Sequence, residues 1–278
     1  MKYAAIDVGS NSVRVLSDGR KLLEITTLGE GLLLTGRLKP EAIKRTADAV
    51  KKFYDLAVSE GADKVFVFAT EAVRAAENGG DFISLMKENG IDVDLVSKDK
   101  EAECGFLGAY TGGTCAILDI GGASAEIAVG DENGIVYKKS LPLGAVRLKD
   151  YSDDVKEMEE YVASVARDYL PVPRFDRLIA IGGTPTTYAA IKLESEPYDP
   201  KAVNGTTLTR GEIRSITERI VATPYEDRKN IKGLHPKKVP FAVQSGVLLY
   251  TIAEAVGAEV LTVSESDNLE GYIKAHSL

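Results

Sequence analysis

The stretch Asp7-Val8-Gly9-Ser10-Asn11-Ser12 recurs later in the chain as Asp119-Ile120-Gly121-Gly122-Ala123-Ser124. Each copy follows an apolar run typical of a β-strand and precedes a second strand in which polar and apolar residues alternate. Each unit then turns, at Asp18-Gly19 or at Asn133-Gly134, into a third strand. The chain therefore contains a duplicated strand, tight turn, strand, hairpin, strand unit.

The composition of both turns is typical of an anion site. Their glycines expose backbone N–H groups and permit close approach to a phosphate. The candidate phosphate-binding residues of the two turns are Ser10, Asn11, Ser12, Gly121, Gly122 and Ser124. Asp7, Asp119 and Glu126 offer carboxylate oxygens, which are the ligands that Mg²⁺ prefers. A single copy would indicate only an ordinary turn. The duplication predicts two loops that bind one phosphate chain between them.

Length and charge limit the classes of protein to consider. The 278 residues, of which 44% are hydrophobic, suffice for two domains. The net charge of −8 argues against a nucleic-acid partner, and no apolar run is long enough to predict a membrane partner. Two histidines and two separated cysteines, Cys104 and Cys115, give little support to a histidine triad or a zinc site. We expect a cytoplasmic protein with reduced, buried thiols.

Strands that alternate with helices predict an α/β fold whose sheets are covered on both faces. The boundary between the two halves is expected near Gly112-Gly113. In the first half, the pattern predicts a helix over 40–60, a strand over 64–69, a helix over 80–89 and a strand over 91–96. In the second half, it predicts helices over 153–170, 209–222 and 239–256 and strands over 177–181 and 259–263.

Two further segments follow predicted strands. Arg74 comes after strand 64–69, at the end where open α/β sheets bind ligands, so it either binds a phosphate or is a surface arginine. Gly182-Gly183-Thr184 precedes a helix for which Thr184 is the expected N-cap and Pro185 the first residue. The free N–H groups there suit a phosphate or nucleotide, although such turns are common in α/β proteins.

Glu101 is the candidate general base. A helix is expected from about Asp99, and its acidic first turn could do no more than interact with the helix dipole. Glu101, Gly105 and Gly108 nevertheless fall on one stripe of this helix, whereas Glu103 falls on another. A stripe without side chains predicts open space beside Glu101, where a base could face a cleft.

These motifs together resemble the exopolyphosphatase and guanosine pentaphosphate phosphatase (Ppx/GppA) family in its short two-domain form. The resemblance also rests on Leu28-Gly29-Glu30-Gly31, Thr35-Gly36-Arg37-Leu38, Ala69-Thr70-Glu71-Ala72-Val73-Arg74, Glu101-Ala102 and Leu141-Pro142-Leu143-Gly144-Ala145-Val146-Arg147-Leu148. It implies a duplicated actin-like fold of the sugar kinase, Hsp70 and ribonuclease H kind, with a cleft between domain I (1–112 plus about 267–278) and domain II (113–266). It further implies Mg²⁺-dependent release of terminal phosphate from polyphosphate or guanosine pentaphosphate.

The resemblance also implies residue roles. Glu101 matches the catalytic glutamate, and Asp119 and Glu126 match metal-linked acids. The matching phosphate contacts are Ser10, Asn11, Ser12, Arg74, Gly121, Gly122 and Ser124.

The chain departs from the family pattern at Ala123 and Ala125, where a glycine and a threonine are usual, and has Leu234-His235-Pro236-Lys237-Lys238-Val239-Pro240 in place of an arginine-rich stretch. The motif-linked cations are few, namely Arg14, Arg74, Lys98, Lys100 and Arg147. We therefore expect short polyphosphates or a nucleotide-borne phosphate to be preferred over long chains, with distributive release. A homodimer, which could extend the basic track, is left open.

Two alternatives differ in class. In an actin-like ATP-dependent kinase, the segment Gly182-Gly183-Thr184 would hold adenosine or its phosphates, and an acceptor hydroxyl would replace water. In a non-catalytic polyphosphate or alarmone sensor, Ala123 and Ala125 would mark the loss of turnover.

Overall fold

In the computed structural model, which describes residues 1–277, the chain forms two mixed β-sheets. The first sheet contains β1 (Tyr3–Val8), β2 (Ser12–Ser17), β3 (Arg20–Ile25), β4 (Lys64–Ala69) and β5 (Asp94–Leu95) in the order β3-β2-β1-β4-β5. The second contains β6 (Cys115–Ile120), β7 (Ala125–Asp131), β8 (Gly134–Leu141), β9 (Arg177–Ile181), β10 (Thr207–Thr209) and β11 (Val260–Ser264) in the order β10-β11-β9-β6-β7-β8.

The two sheets repeat one topology. β1 pairs antiparallel with β2 and parallel with β4, and β6 pairs antiparallel with β7 and parallel with β9. In both, the antiparallel hairpin continues into a third strand, β3 or β8. The central strands are buried on both faces, as expected for sheets covered by helices. The predicted duplicated α/β fold is confirmed.

Helices cover these sheets. Those of the first half are α1 (Leu32–Thr35), α2 (Pro40–Ser59), α3 (Glu71–Ala75), α4 (Gly79–Glu88) and α5 (Lys98–Ala109). Those of the second half are α6 (Ala145–Tyr151), α7 (Val155–Ala166), α8 (Gly183–Leu193), α9 (Pro200–Val203), α10 (Arg210–Ala222), α11 (Ala242–Ala255) and α12 (Asn268–His276), with 3₁₀ turns at Arg167–Tyr169, Tyr225–Asn230 and Pro236–Phe241. Long helices begin where the sequence supplies a start signal, such as Pro40 at the first position of α2 and the Thr209–Glu212 capping box of α10.

Helices α5 and α12 form the layer between the two sheets. Ala102 and Phe106 of α5 pack against the second sheet, whereas Cys104 packs with Phe68 of the first sheet and Tyr272 of α12. The two helices meet at glycines: a Cβ on Gly108 would lie 1.9 Å from the Asp267 carbonyl oxygen, and one on Gly271 would lie 1.7 Å from that of Cys104. Close backbone contact thus joins the end of the chain to its middle.

The strands of the two sheets lie on either side of Gly112-Gly113, and α12 packs against β1 as well as α5. The division into 1–112 with 267–278 and 113–266 stays a prediction, and its last residue, Leu278, lies outside the described residues. Within residues 1–277, no helix combines the length and apolarity needed to cross a membrane.

The strand predicted over 91–96 is shorter in the structure. Only Asp94 and Leu95 pair with β4. Ile91 instead donates its N–H to the Met86 carbonyl oxygen (3.0 Å) and is buried in the core beside α4, so the apolar residue that suggested a strand closes the end of a helix.

Candidate active site

The two duplicated loops have the same turn geometry. Gly9 N–H donates to the Ser12 carbonyl oxygen (3.0 Å), and Gly121 N–H donates to that of Ser124 (2.9 Å). The loops face each other at close range, because a Cβ on Gly122 would lie 2.9 Å from Ser10 Cβ and 3.1 Å from the Asn11 nitrogen. Both loops line one cleft, with a cavity of about 110 Å³.

Each loop is held in place from behind. Gly29 N–H donates to the Ser10 carbonyl oxygen (2.8 Å) in the first loop. The start of α6 does the same for the second, where Val146 and Arg147 N–H groups donate to the Gly122 carbonyl oxygen (2.8 and 3.0 Å). These bonds occupy carbonyl groups and leave the opposite side of each turn to the cleft. The segment before α6 therefore supports the second loop.

An arginine neutralises the acid of the first loop. Arg14 lies directly opposite Asp7 on the neighbouring strand, forms an ion pair with it, and also binds Asp267 (2.6 Å). Burial raises the pKa of Asp7, and Arg14 opposes this effect. Although burial acts in the other direction, Arg14 and Lys21 hold the pKa of Asp267 below its ordinary value. Both carboxylates thus have a cationic partner.

Within residues 1–277, the acid of the second loop, Asp119, forms no ion pair, and Arg14 acts on it only through its charge. Asp119 accepts a hydrogen bond from Asn268 Nδ2 (2.5 Å), and the residue opposite it on β7 is Glu126. Burial and the charge of Glu126 raise the pKa of Asp119 to about 8. Burial also raises the pKa of Glu126 to about 7, although Ser140 donates to its carboxylate (2.6 Å). Negative charge at this loop is therefore incompletely compensated.

Glu101 is buried between these acids and an arginine. Its carboxylate accepts from Arg74 Nη2 (3.2 Å), which also donates to Glu71 (2.6 Å). Burial and then the charge of Glu126 raise the pKa of Glu101 well above its ordinary value, whereas Arg74 lowers it. A glutamate with a raised pKa that lines the cleft has the properties of a general base. Glu103, by contrast, is partly exposed and bound to Lys138 (2.8 Å).

The prediction of open space beside Gly105 and Gly108 is wrong. A Cβ on Gly105 would lie 3.0 Å from Asn268 Oδ1, and Gly108 contacts the backbone of Asp267. These two glycines of α5 allow the start of α12 to pack closely against the helix. The same packing places Asn268 next to Asp119. Glu101 lines the cleft although this stripe packs against α12, and its role as a general base stays a prediction.

The third loop also reaches the cleft, with a shifted helix start. Gly182, with φ of 85°, is the N-cap, and α8 begins at Gly183 rather than at Pro185. Only glycine adopts this backbone conformation readily, so Gly182 rather than Thr184 precedes the helix. Thr184 instead donates its hydroxyl to the Ile120 carbonyl oxygen (3.3 Å), which fastens the third loop to the second.

The cleft brings together most of the candidate residues. Those that line it are Asp7, Ser10, Asn11, Ser12, Glu101, Asp119, Gly121, Gly122, Ser124, Gly182, Gly183 and Thr184. Arg74 and Glu126 are not part of this lining, and each acts on the cleft through the charge that it presents to Glu101. Sequence reasoning did not assign Arg14, Lys238 or Asn268 to the site, although all three line it.

The donor set fits a magnesium ion. Within residues 1–277, no three acidic, histidine or cysteine side chains group closely enough to hold a metal by themselves. Asp7 Oδ1 and Asn268 Oδ1 are, however, buried oxygens without a hydrogen-bond partner in the described chain, and both residues line the cleft with Asp119. Mg²⁺ commonly takes one or two carboxylates and completes its shell with water and substrate phosphate.

Comparisons with known proteins agree with this geometry. Exopolyphosphatase 2 of Mycobacterium tuberculosis is 28% identical over 309 residues, which cover 97% of each chain. A bifunctional 3-dehydroquinate synthase/phosphatase of Fusobacterium nucleatum is 29% identical over 305 residues, 97% of this chain, which spans 46% of that relative's length. The crystal structure of the Aquifex aeolicus Ppx/GppA family member superposes with a TM-score of 0.81 at 27% identity, covering 100% of this chain and 97% of that one.

The fold is thus the duplicated actin-like α/β fold, and the class is that of a phosphatase hydrolase. The sequence profile of the Ppx/GppA phosphatase family matches residues 10–276, and the chain belongs to this family.

Proposed function

We propose that this protein is a Mg²⁺-dependent phosphohydrolase that releases the terminal phosphate of short polyphosphates or of guanosine pentaphosphate. The observation that carries the proposal is the position of Glu101, a buried carboxyl with a raised pKa in a cleft whose other walls are two opposed phosphate loops. The exopolyphosphatase name of a relative that is covered over nearly its full length supports the substrate class.

The chemistry assigned to the chain is an in-line attack of water on the terminal phosphorus. Glu101 accepts the proton of the attacking water, and Arg74 orients this carboxyl through its hydrogen bond and opposes the rise of its pKa. The N–H groups of the three loops hold the phosphate oxygens. Mg²⁺, when bound through Asp7 and Asp119 with Glu126 nearby, would neutralise charge on those oxygens. The anhydride bond then breaks, and its electron pair stays on the shortened chain.

The charges around the cleft favour short substrates. In the described lining of the cleft, the cationic residues are Arg14 and Lys238, and Arg14 is already paired with two aspartates. Arg74 and Lys98 pair with Glu71, and Lys100 pairs with Glu103. A long polyanion needs a continuous basic track, and most of the motif-linked cations are already neutralised.

A second cavity supports a nucleotide-borne phosphate as an alternative substrate. It has a volume of about 440 Å³ and adjoins the cleft at Gly182 and Gly183. Tyr198, Ile231 and Leu234 give it an apolar wall. A space of this size can hold the organic part of a small ligand.

One panel of substrates tests the proposal. Phosphate release with Mg²⁺ would be measured from tripolyphosphate, long-chain polyphosphate, guanosine pentaphosphate and ATP. We expect release from tripolyphosphate or guanosine pentaphosphate without an acceptor, and partial digestion of the long chain should give intermediate lengths. Only full-length polymer and free phosphate at early times would show processive release and contradict the preference for short chains. ADP formation that requires an acceptor would indicate a kinase, and tight binding without release would indicate a sensor.

A further inference from the structure

Lys238 lies at the junction between the cleft and the larger cavity. It belongs to the 3₁₀ turn Pro236–Phe241, and its Nζ donates to the Gly183 carbonyl oxygen (2.8 Å) at the start of α8. Six residues line both cavities and define the junction: Arg14, Leu23, Gly182, Gly183, Thr187 and Lys238. A substrate that extends from one cavity into the other must pass Lys238.

The ammonium group of Lys238 has no anionic partner. Its side chain is half-buried, and within residues 1–277 it forms no ion pair, in contrast to Arg14. Burial and then the charge of Arg14 lower the pKa of Lys238 to about 8, and Glu265 opposes both. A partly desolvated cation without a counter-ion is unfavourable unless a ligand supplies the negative charge.

We propose that Lys238 binds the phosphate group next to the one that is cleaved, which is the phosphate that the shortened product retains. This inference rests on the proposed phosphohydrolase function. With the terminal phosphate beside Glu101 and the rest of the substrate directed to the larger cavity, the neighbouring phosphate lies at the junction. When the anhydride bond breaks, its electron pair moves onto the bridging oxygen of that phosphate. Lys238 stabilises this charge without transferring a proton.

The position also makes substrate affinity depend on pH. The charged groups that face Lys238 are Arg14 and Glu265, with His235 and Lys237 on its own turn. Below about pH 8, Lys238 is charged and ready to bind a phosphate. Above this pH the free enzyme loses the proton, so the affinity for a phosphate chain falls. Arginine at this position would remain charged throughout the range.

The test compares Lys238→Met, Lys238→Arg and, as a matched control, Lys237→Met, whose side chain is exposed. Tripolyphosphate binding would be measured by calorimetry with each change placed in the Glu101→Gln variant, which binds without turnover. We expect Lys238→Met to weaken binding roughly 10- to 100-fold at pH 7, as for a lost hydrogen bond to a charged group. Lys238→Arg and Lys237→Met should stay within about twofold.

The pH series supplies the second readout. Between about pH 7 and 9, binding should weaken roughly tenfold with Lys238 present and stay nearly constant with Lys238→Arg. Equal affinities for Lys238→Met and Lys237→Met, with both variants folded, would overturn the role of Lys238. Phosphate release by the wild type is measured in a separate experiment, and its absence would reject the proposed function. The binding measurements on the variants would still test the role of Lys238.

Discussion

The two duplicated loops share a backbone geometry and differ in charge. Each closes with the same hydrogen bond, at 3.0 Å in the first loop and 2.9 Å in the second. The residue opposite Asp7 is Arg14, whereas the residue opposite Asp119 is Glu126. The duplicated hairpin therefore places a cation beside one acid and a second acid beside the other.

This difference shows how a repeated motif acquires two tasks. The exposure of backbone N–H groups depends on the turn alone, so phosphate binding stays a prediction for both copies alike. The cross-strand neighbour is free to change, and it decides whether the leading aspartate is compensated within the protein. The raised pKa of Asp119, which arises from burial and from Glu126, identifies the second loop as the one that still requires positive charge.

The largest expected effect concerns the acid held between the loops. Glu101→Gln should lower kcat by roughly 100-fold or more, because the amide cannot accept the proton of water. Glu103→Gln is the matched control one helical stripe away and should change kcat little, since Glu103 pairs with Lys138 outside the cleft. Steady-state phosphate release measures both variants. Equal turnover close to that of the wild type in the two would remove Glu101 from its role.

The next effect separates the two leading aspartates. Asp119→Asn should raise the Mg²⁺ concentration for half-maximal activity roughly tenfold or more, because it removes an uncompensated carboxylate. Asp7→Asn should raise it less and instead lower thermal stability, since Arg14 loses one of its two acidic partners. Activity against Mg²⁺ concentration and thermal unfolding give the two readouts. If both substitutions shifted the Mg²⁺ requirement equally, the charge difference between the loops would have no functional meaning.

The stability of Asp119→Asn and Asp7→Asn should also differ from that of the wild type in the absence of Mg²⁺. The pKa of Asp119 is raised to about 8 in the folded chain, so the folded state holds a proton that the unfolded state has released. Wild-type stability should therefore decline as pH rises from about 4 to 8, and Asp119→Asn should remove this part of the decline. The melting temperature of Asp119→Asn relative to the wild type should be higher near pH 8 than near pH 5. The pKa of Asp7 is raised by burial as well, so Asp7→Asn should change with pH in the same direction, but its stability should be lowered throughout because it breaks the ion pair with Arg14.

The smallest effect tests how each loop is supported. A Cβ on Gly144 would lie 2.3 Å from the Ala123 nitrogen, whereas one on Gly29 would lie 3.1 Å from Ser10 Cβ. Gly144→Ala should displace the second loop, lower stability by about 1–3 kcal/mol and reduce kcat/KM several-fold. Gly29→Ala should be milder, since the neighbouring side chain can move by a few tenths of an ångström. Thermal unfolding and kcat/KM on one substrate compare the two, and a reversed order would contradict the stated packing.

Local and repeated patterns predicted much of this fold. Both loops, the two hairpins and the long helices follow from glycine turns, strand alternation and capping residues, which act over a few positions. The predicted start of α8 was wrong because one glycine conformation at Gly182 decides it. The strand predicted from Ile91 was mostly wrong because its apolar residue packs against a helix.

The polar partners of the site were less predictable. Glu101 was predicted from a glycine stripe that was expected to border open space, whereas these glycines pack against α12. Asn268 reaches Asp119 across 149 positions of the chain, and no local pattern encodes that contact. In the sequence, nothing distinguishes Lys238 from a lysine of a basic surface turn. Only the structure shows that it lies beside Gly183. The predicted roles of these candidate residues stay predictions until the variants are measured.

The glycine seam between α5 and α12 has a mechanical consequence. Gly108 and Gly271 each contact the backbone of the opposite helix, so at these two positions no side chain separates the helices. Ala102 and Phe106 hold α5 against the second sheet, while α12 packs on β1 of the first. We expect the seam to resist compression and to allow sliding, as in shear motions of packed helices.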